Sequence, residues 1–413
     1  MPDALRAQDP DRDRDAGVRA AGVTLETAVA AAPALAAARA RVEAARARID
    51  AAGRLPDPEL EVMASRSDMP EDNTTMWELN VRQPLARLGE READRRRARA
   101  AVAMAEAEFA MMAGETAMDV AMALAEGDAA ERRIALLEAQ IARLESVLAS
   151  VDARIAAGTG QLVDRLTVQT RIASMRLMAE DERRMAGDSV SEIAARLGAT
   201  GVAGVPVFAV PDPESVEAAE TGATNLARAR ETEADAMKAM ARAGGRPMTA
   251  VGLRLEREQT RMGNADLAGV AFMTEIPWRS RRYARAEERA ANAEITAARA
   301  DGVSARLRVD AAIARAERAA RLAAIARELG RETRARLDAE FEALLGTSAA
   351  TGRMPAESTV LMIVEILEKV TETELQVINA ETQEAIARAA LWPHAPVSLW
   401  SEALNSTNNR SQP

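Results

Sequence analysis

The sequence predicts a mainly α-helical chain with short β hairpins, built as two copies of one helix–strand–strand–helix–helix unit. Three observations predict it: a set of features recurs in one order in both halves, two very long segments contain no proline, and four short segments alternate apolar with polar residues. The boundaries this implies are a disordered segment 1–23, a first repeat 24–200, a linker 201–212, a second repeat 213–391 and a tail 392–413.

Composition supports the helical reading. The 413 residues are 48% hydrophobic, but only 2% are aromatic. Alanine leads the apolar residues, and Arg is interleaved with Glu and Asp, as expected of long helices in close lateral contact. The formal charge of −10 and the absence of a basic patch argue against a nucleic-acid partner. With no cysteine there is no disulfide framework, thiol catalysis or Cys-based metal site. No stretch approaches the length and apolarity of a transmembrane helix.

The repeat fixes the order of elements. Ala52-Gly53-Arg54-Leu55-Pro56 ends one helical stretch, and Gly244-Gly245-Arg246-Pro247 ends another roughly 190 residues later. Each is followed by a strand-like pair closed by a proline, at Gln83-Pro84-Leu85 and at Ile276-Pro277-Trp278. A charged cluster then opens each long helix, over Arg87–Arg97 and Arg279–Arg289. Helices are expected at about 24–52, at Glu90–Ala157 and Gln161–Leu197, then at about 214–243, at Arg279–Leu345 and Ser358–Leu391. At 1.5 Å per residue each long helix would run about 100 Å. Apolar residues recur at spacings of three and four, as in Ile134, Leu137, Ile141, Leu144 and Leu148, so these helices need equally long neighbours.

The hairpins alternate with period two. Trp77, Leu79 and Val81 alternate with Glu78, Asn80 and Arg82; Val270, Phe272, Thr274 and Ile276 alternate with Ala271, Met273 and Glu275. Such strands place one face in an apolar medium and the other in water. Four of them are too few for a soluble sandwich and too few to close a membrane barrel alone, so subunits would have to pool them. The scarce aromatics gather here, at Trp77, Phe272, Trp278 and Tyr283, and aromatics favour bilayer interfaces. On these residues alone two readings stay open: a barrel shared between subunits, and a soluble long-helix coiled-coil scaffold or adaptor that never enters a membrane.

Several pieces resemble the TolC-like outer-membrane efflux proteins, in particular their heavy-metal-efflux branch. Val81-Arg82-Gln83-Pro84-Leu85 with Leu88-Gly89-Glu90-Arg91 resembles the family's strand-to-helix junction. Gly158-Thr159-Gly160 with Asp164-Arg165-Leu166 and Gln169 resembles its helix-to-helix turn, and Ala32-Pro33-Ala34-Leu35 also fits. The resemblance runs from about Leu25 to Leu391. It implies a TolC-like α/β barrel: a homotrimer with a twelve-stranded barrel in outer-membrane lipid and a twelve-helix periplasmic tunnel. Such a trimer would dock a periplasmic adaptor and an inner-membrane pump and export small solutes or metal ions. The tunnel's gate would lie at Gly158, Gly160, Asp164 and Arg165 in one repeat and at Gly346, Gly352, Glu357 and Thr359 in the other. The membrane strands and their junctions would be carried by Trp77, Leu79, Val81, Pro84, Phe272, Pro277 and Trp278. Asp164 reads more simply as a helix-cap or surface charge than as part of an acidic ring.

No enzymatic chemistry is legible. His394 is the sole histidine and reads as a surface residue; no GxSxG, P-loop or dinucleotide fingerprint occurs, and no cofactor or metal site is expected. Met1–Asp15 is polar and lacks the apolar core of a secretory signal, so the exported reading expects a leader encoded upstream of Met1.

Overall fold

The computed structural model describes residues 25–68, 73–198, 213, 216–260, 263–351 and 358–400. The expected disordered segment 1–23 and linker 201–212 lie outside them. The first repeat comprises α1 (Leu25–Ala31), a 3-10 turn (Pro33–Leu35), α2 (Ala36–Ala51), β1 (Glu59–Asp68), β2 (Asn73–Leu85), α3 (Glu90–Ala156) and α4 (Leu162–Leu197). The second comprises α5 (Gly222–Gly244), β3 (Met248–Thr260), β4 (Gly263–Glu275), α6 (Ser280–Thr351) and α7 (Ser358–Ala389). The helix–strand–strand–helix–helix order holds in both halves.

Three boundaries differ from expectation. The first helix is not continuous, because Pro33 lacks an N–H and holds Ala32 extended at φ −59° and ψ 138°. The helix resumes at Ala36 with Leu35 fully buried beneath the break. The helix expected from 214 starts only at Gly222. At the far end of α6 no turn opens at Gly346; the helix runs on to Thr351. A helical glycine costs about 1 kcal/mol against alanine, too little to stop a long helix where the next proline is Pro355.

The chain divides into two compact units. One is formed by Ala38–Phe109 and Ala223–Arg306 and contains all four strands. Its helices explain the alanine content. Ala93, Ala100 and Ala107 on α3 and Ala291, Ala298 and Ala305 on α6 are buried at seven-residue intervals. A seven-residue repeat keeps one narrow seam facing a neighbour, and a methyl group there lets backbones approach closely. The strands form one antiparallel sheet in the order β1-β2-β3-β4, so the two hairpins join through β2 and β3. At the strand-to-helix junction the Glu90 carboxylate accepts the Arg87 backbone N–H at 2.8 Å, satisfying one group at the start of α3. Arg246, from the loop between α5 and β3, donates to the Leu88 carbonyl at 2.6 Å.

The other unit is formed by Met1–Ala37, Ala110–Gly222 and Leu307–Pro413. Its main core packs Leu137, Leu144 and Val151 of α3 against Val168, Ile172 and Met175 of α4 and Val360, Val364 and Leu367 of α7. Each such side chain contributes about 1.5–3 kcal/mol on burial. The segment after α7 is no loose tail. Trp392 and Trp400 are fully buried with ring centroids 5.9 Å apart, and Pro396 bridges Thr221 ahead of α5. Gly114 makes room for it: a Cβ there would stand 2.6 Å from the Trp392 carbonyl oxygen. His394 is accordingly half-buried rather than on the surface. Burial, with Arg308 nearby adding its charge, holds the imidazole below its ordinary pKa.

Candidate functional site

Two surfaces carry the residues singled out by the sequence. The first is the sheet. Register places Leu60, Val81, Leu253 and Val270 in one row across all four strands, with Val62, Leu79, Leu255 and Ala268 in the next such row. Val251, Phe272 and Trp77 share that face. The alternate residues form a charged face: Glu59, Glu61, Glu78, Arg82, Arg254, Glu256, Glu258 and Glu275.

The apolar face is not covered as it would be in a soluble sheet, and the charged face is covered only at its centre. Leu60, Val270 and Phe272 are 67%, 78% and 68% exposed. On the charged face Ala250 and Gly252 are buried, and the side chains of Glu78 and Glu256 keep only 19% and 18% of their exposure. The charged face also satisfies itself. The Arg254 guanidinium reaches Glu78 at 2.9 Å and Glu256 at 3.2 Å, and Arg82 pairs with Glu59. On the apolar face Arg66, Arg257 and Asp266 lie towards the hairpin tips, with Arg257 and Asp266 paired at 2.7 Å.

The residues expected in the membrane strands and their junctions lie on or beside this sheet. Trp77, Leu79 and Val81 lie on the apolar face of β2. Pro84 is buried near the end of the same strand and pairs with Ala250. Phe272 is on β4, whereas Pro277 and Trp278 lie beyond its end, with Trp278 84% exposed. β1 and β4 are the outer edges.

The second surface is the turn between α3 and α4. Gly158 takes φ +75°, a left-handed conformation that only glycine adopts cheaply, and so ends α3. Gly160 packs against the backbone of Arg154 and Ile155. Asp164 is only 5% exposed and is the third residue of α4, whose N-cap is Gln161 without a side-chain cap. It is therefore neither cap nor surface charge, and in this chain its carboxylate is not presented to water. Arg165 pairs with Asp152 of α3 at 3.1 Å. Leu162, Val163 and Leu166 stand exposed beside it, as do Leu361 and Met362 in the first turns of α7. Thr359 lies in that first turn of α7 and Gly346 within α6, while Gly352 and Glu357 lie outside the described residues.

No described helix is long and apolar enough to cross a membrane. A sheet with an outward apolar face is the structure that could do so.

Residues 24–199 match the model of the outer membrane efflux protein family. No curated protein matches the sequence. Solved structures match over most of the chain. A membrane protein from Pseudomonas aeruginosa is 19% identical, covering 90% of this chain and 89% of its own, with a TM-score of 0.69. The outer membrane protein VceC from Vibrio cholerae is 16% identical over 93% of this chain and 96% of its own, with a TM-score of 0.68. The open state of the Neisseria gonorrhoeae MtrE outer membrane channel is 16% identical over 90% and 87%, with a TM-score of 0.61. The chain has the fold of the TolC-like outer-membrane efflux proteins. The family match covers its first repeat, and the structural match extends the same fold across the second.

Sequence reasoning missed the buried segment at Trp392–Trp400 in this efflux-protein fold. The signal was available: two of four tryptophans lie there, and so large an apolar side chain is usually buried.

Proposed function

We propose that this chain is one subunit of a homotrimeric outer-membrane efflux channel. The observation that carries the reading is the sheet whose apolar face stands exposed, with Leu60, Val270 and Phe272 uncovered. Water cannot stabilise the apolar face, but lipid can. The face runs along β2 from Trp77 to Leu85, about 27 Å of strand at 3.4 Å per residue, which tilts to roughly a membrane's apolar band. The open edges β1 and β4 are antiparallel to one another, so adjoining copies can continue the ladder. Three copies supply enough strands for a closed barrel.

The helices would form the periplasmic part of the same passage, and the turn at Gly158–Arg165 its entrance. The Arg165–Asp152 pair ties α4 to α3 there. The exposed Leu162, Val163 and Leu166 beside it offer an apolar contact to a periplasmic adaptor, and through it to an inner-membrane pump. The cargo is a small solute or a metal ion in transit.

The test is to express the full chain behind an export leader, crosslink it in isolated outer membranes, and record its conductance in planar bilayers. A crosslinked trimer that conducts is expected. A monomer confined to soluble fractions overturns the reading and favours the scaffold alternative.

A further inference from the structure

The two strand-to-helix junctions carry similar runs of arginine but treat them differently. At the start of α3 the arginines are held within the chain: Arg87 pairs with Glu275, Arg96 with Glu92 and Arg97 with Glu233, and Arg91 donates to the Gly53 carbonyl at 2.8 Å. At the start of α6 the run from Arg279 to Arg285 contains no acid, and the first to follow is Glu287. Arg279, Arg281, Arg282 and Arg285 are all exposed, and among the described residues none of them has a carboxylate within ion-pair distance. Arg281, Arg282 and Arg285 fall within an arc of about 100° on α6, turned away from the seam of Ala291, Ile295 and Ala298 that the helix buries. The run also adjoins an apolar surface. Ile276 and Trp278, exposed just beyond β4, follow Val270 and Phe272 at the same even spacing, and Tyr283 stands exposed among the arginines.

Resting on the channel reading above, we propose that the start of α6 is a docking surface for the headgroups of anionic phospholipids, in the leaflet on the helix side of the barrel. With the apolar face of the sheet in lipid, the hydrocarbon band ends where β4 passes into α6, and the four guanidiniums stand at headgroup depth. A guanidinium binds phosphate through two parallel N–H donors and is weakly hydrated, so it loses little water in doing so. Several such cations beside a membrane-spanning segment form the composition that gathers acidic lipid. Trp278 and Tyr283 suit the same depth, with an apolar ring and a polar tip. Lipid is favoured over an acidic protein surface because Ile276 and Trp278 need an apolar phase beside the charges, and one lipid molecule supplies both. The matching run on α3 has no such role, because its arginines already have partners within the chain.

The experiment places the full-length chain in bilayers that contain brominated phosphatidylglycerol or brominated phosphatidylcholine at the same low mole fraction, and reads tryptophan quenching. Comparison with Trp278→Phe isolates the signal of Trp278. Trp278 is expected to see the acidic lipid enriched about fivefold over the zwitterionic one at 0.1 M salt, and less at 1 M, where the Debye length falls to about 3 Å. Arg281→Gln, Arg282→Gln and Arg285→Gln together are expected to reduce that enrichment to about twofold or less. Arg282→Glu alone should also lower it, should the triple variant fail to insert. Equal quenching of Trp278 by the two lipids at 0.1 M salt, or an enrichment that the variants leave unchanged, overturns the docking surface while the channel reading stands. A chain that enters no bilayer, with Trp77 and Trp278 quenched by neither lipid, removes the channel reading itself, and the docking surface with it.

Discussion

Arg254 on β3 reaches across the seam between the two repeats to Glu78 on β2, Nε to Oε1 at 2.9 Å. The contact matters because Glu78 lies directly opposite Glu256 in the register, and like charges so placed destabilise a sheet. Arg254 sits between them and binds both. Arg254→Gln is expected to cost about 1–2 kcal/mol, more than an exposed ion pair is worth, because it leaves two facing carboxylates. Adding Glu256→Gln should restore much of that loss, which a double-mutant cycle by denaturant unfolding would read out.

Gly114 separates two opposing effects. An alanine in a helix interior normally stabilises it by about 0.8–1 kcal/mol. Here its Cβ would lie 2.6 Å from the Trp392 carbonyl oxygen and 2.7 Å from Pro393 Cα, both backbone atoms. Overpacking of that kind costs about 1–3 kcal/mol, so Gly114→Ala should lower the thermal midpoint. A raised midpoint would show that the Trp392 segment is not seated on α3.

His394 makes the same segment pH-dependent. Its folded pKa lies below the ordinary value of 6.5 because of burial first and the Arg308 charge second. In the window below about 6.5 the unfolded chain then binds more protons than the folded one, so stability falls as pH drops through that window. Thermal unfolding between pH 7.5 and 5.5 should show this decline, and His394→Gln should flatten it.

The sheet faces predict opposite responses to the same charge. Val270→Lys, on the apolar face, is expected to impede insertion into lipid by about 2–4 kcal/mol if near mid-membrane. Ala271→Lys, one residue on and facing the other way, should insert normally. Refolding into vesicles, followed by protease protection, distinguishes them; equal insertion of both would assign the wrong face to lipid.

Leu322, Ile325 and Leu329 form an exposed stripe on α6 at helical spacing, all more than half exposed. Ile325→Glu should weaken self-association at least tenfold by sedimentation while leaving far-UV helicity unchanged, since a tenfold change is about 1.4 kcal/mol and one buried Ile is worth more. Undiminished self-association would place the subunit contact elsewhere.

Much of this fold was legible because its signals are local. Trp77, Leu79 and Val81 alternate with Glu78, Asn80 and Arg82 in consecutive residues, so period two separates the faces before any partner is known. The same holds for Gly158, whose turn is a matter of its own φ, and for the order of elements, which the two repeats state twice. The helix expected to end at Leu345 runs past Gly346 for a related reason: a lone glycine is a weak stop, and its neighbours favour helix. Asp164 resembled a cap or surface charge because its first-turn position is local, whereas its burial depends on the packing around it.

What the sequence determined by itself was therefore the helix–strand–strand–helix–helix order, the two faces of each strand and the need for neighbours along each long helix. All of these follow from the 3.6- and two-residue periods of the backbone. Only the tertiary structure decided that β2 pairs with β3 to make one sheet, and that Arg254 there stands between Glu78 and Glu256. It alone seats Trp392 against Gly114 and takes His394 out of full exposure. These contacts join residues far apart in the chain, and a periodic pattern states that a face must be covered without stating by what.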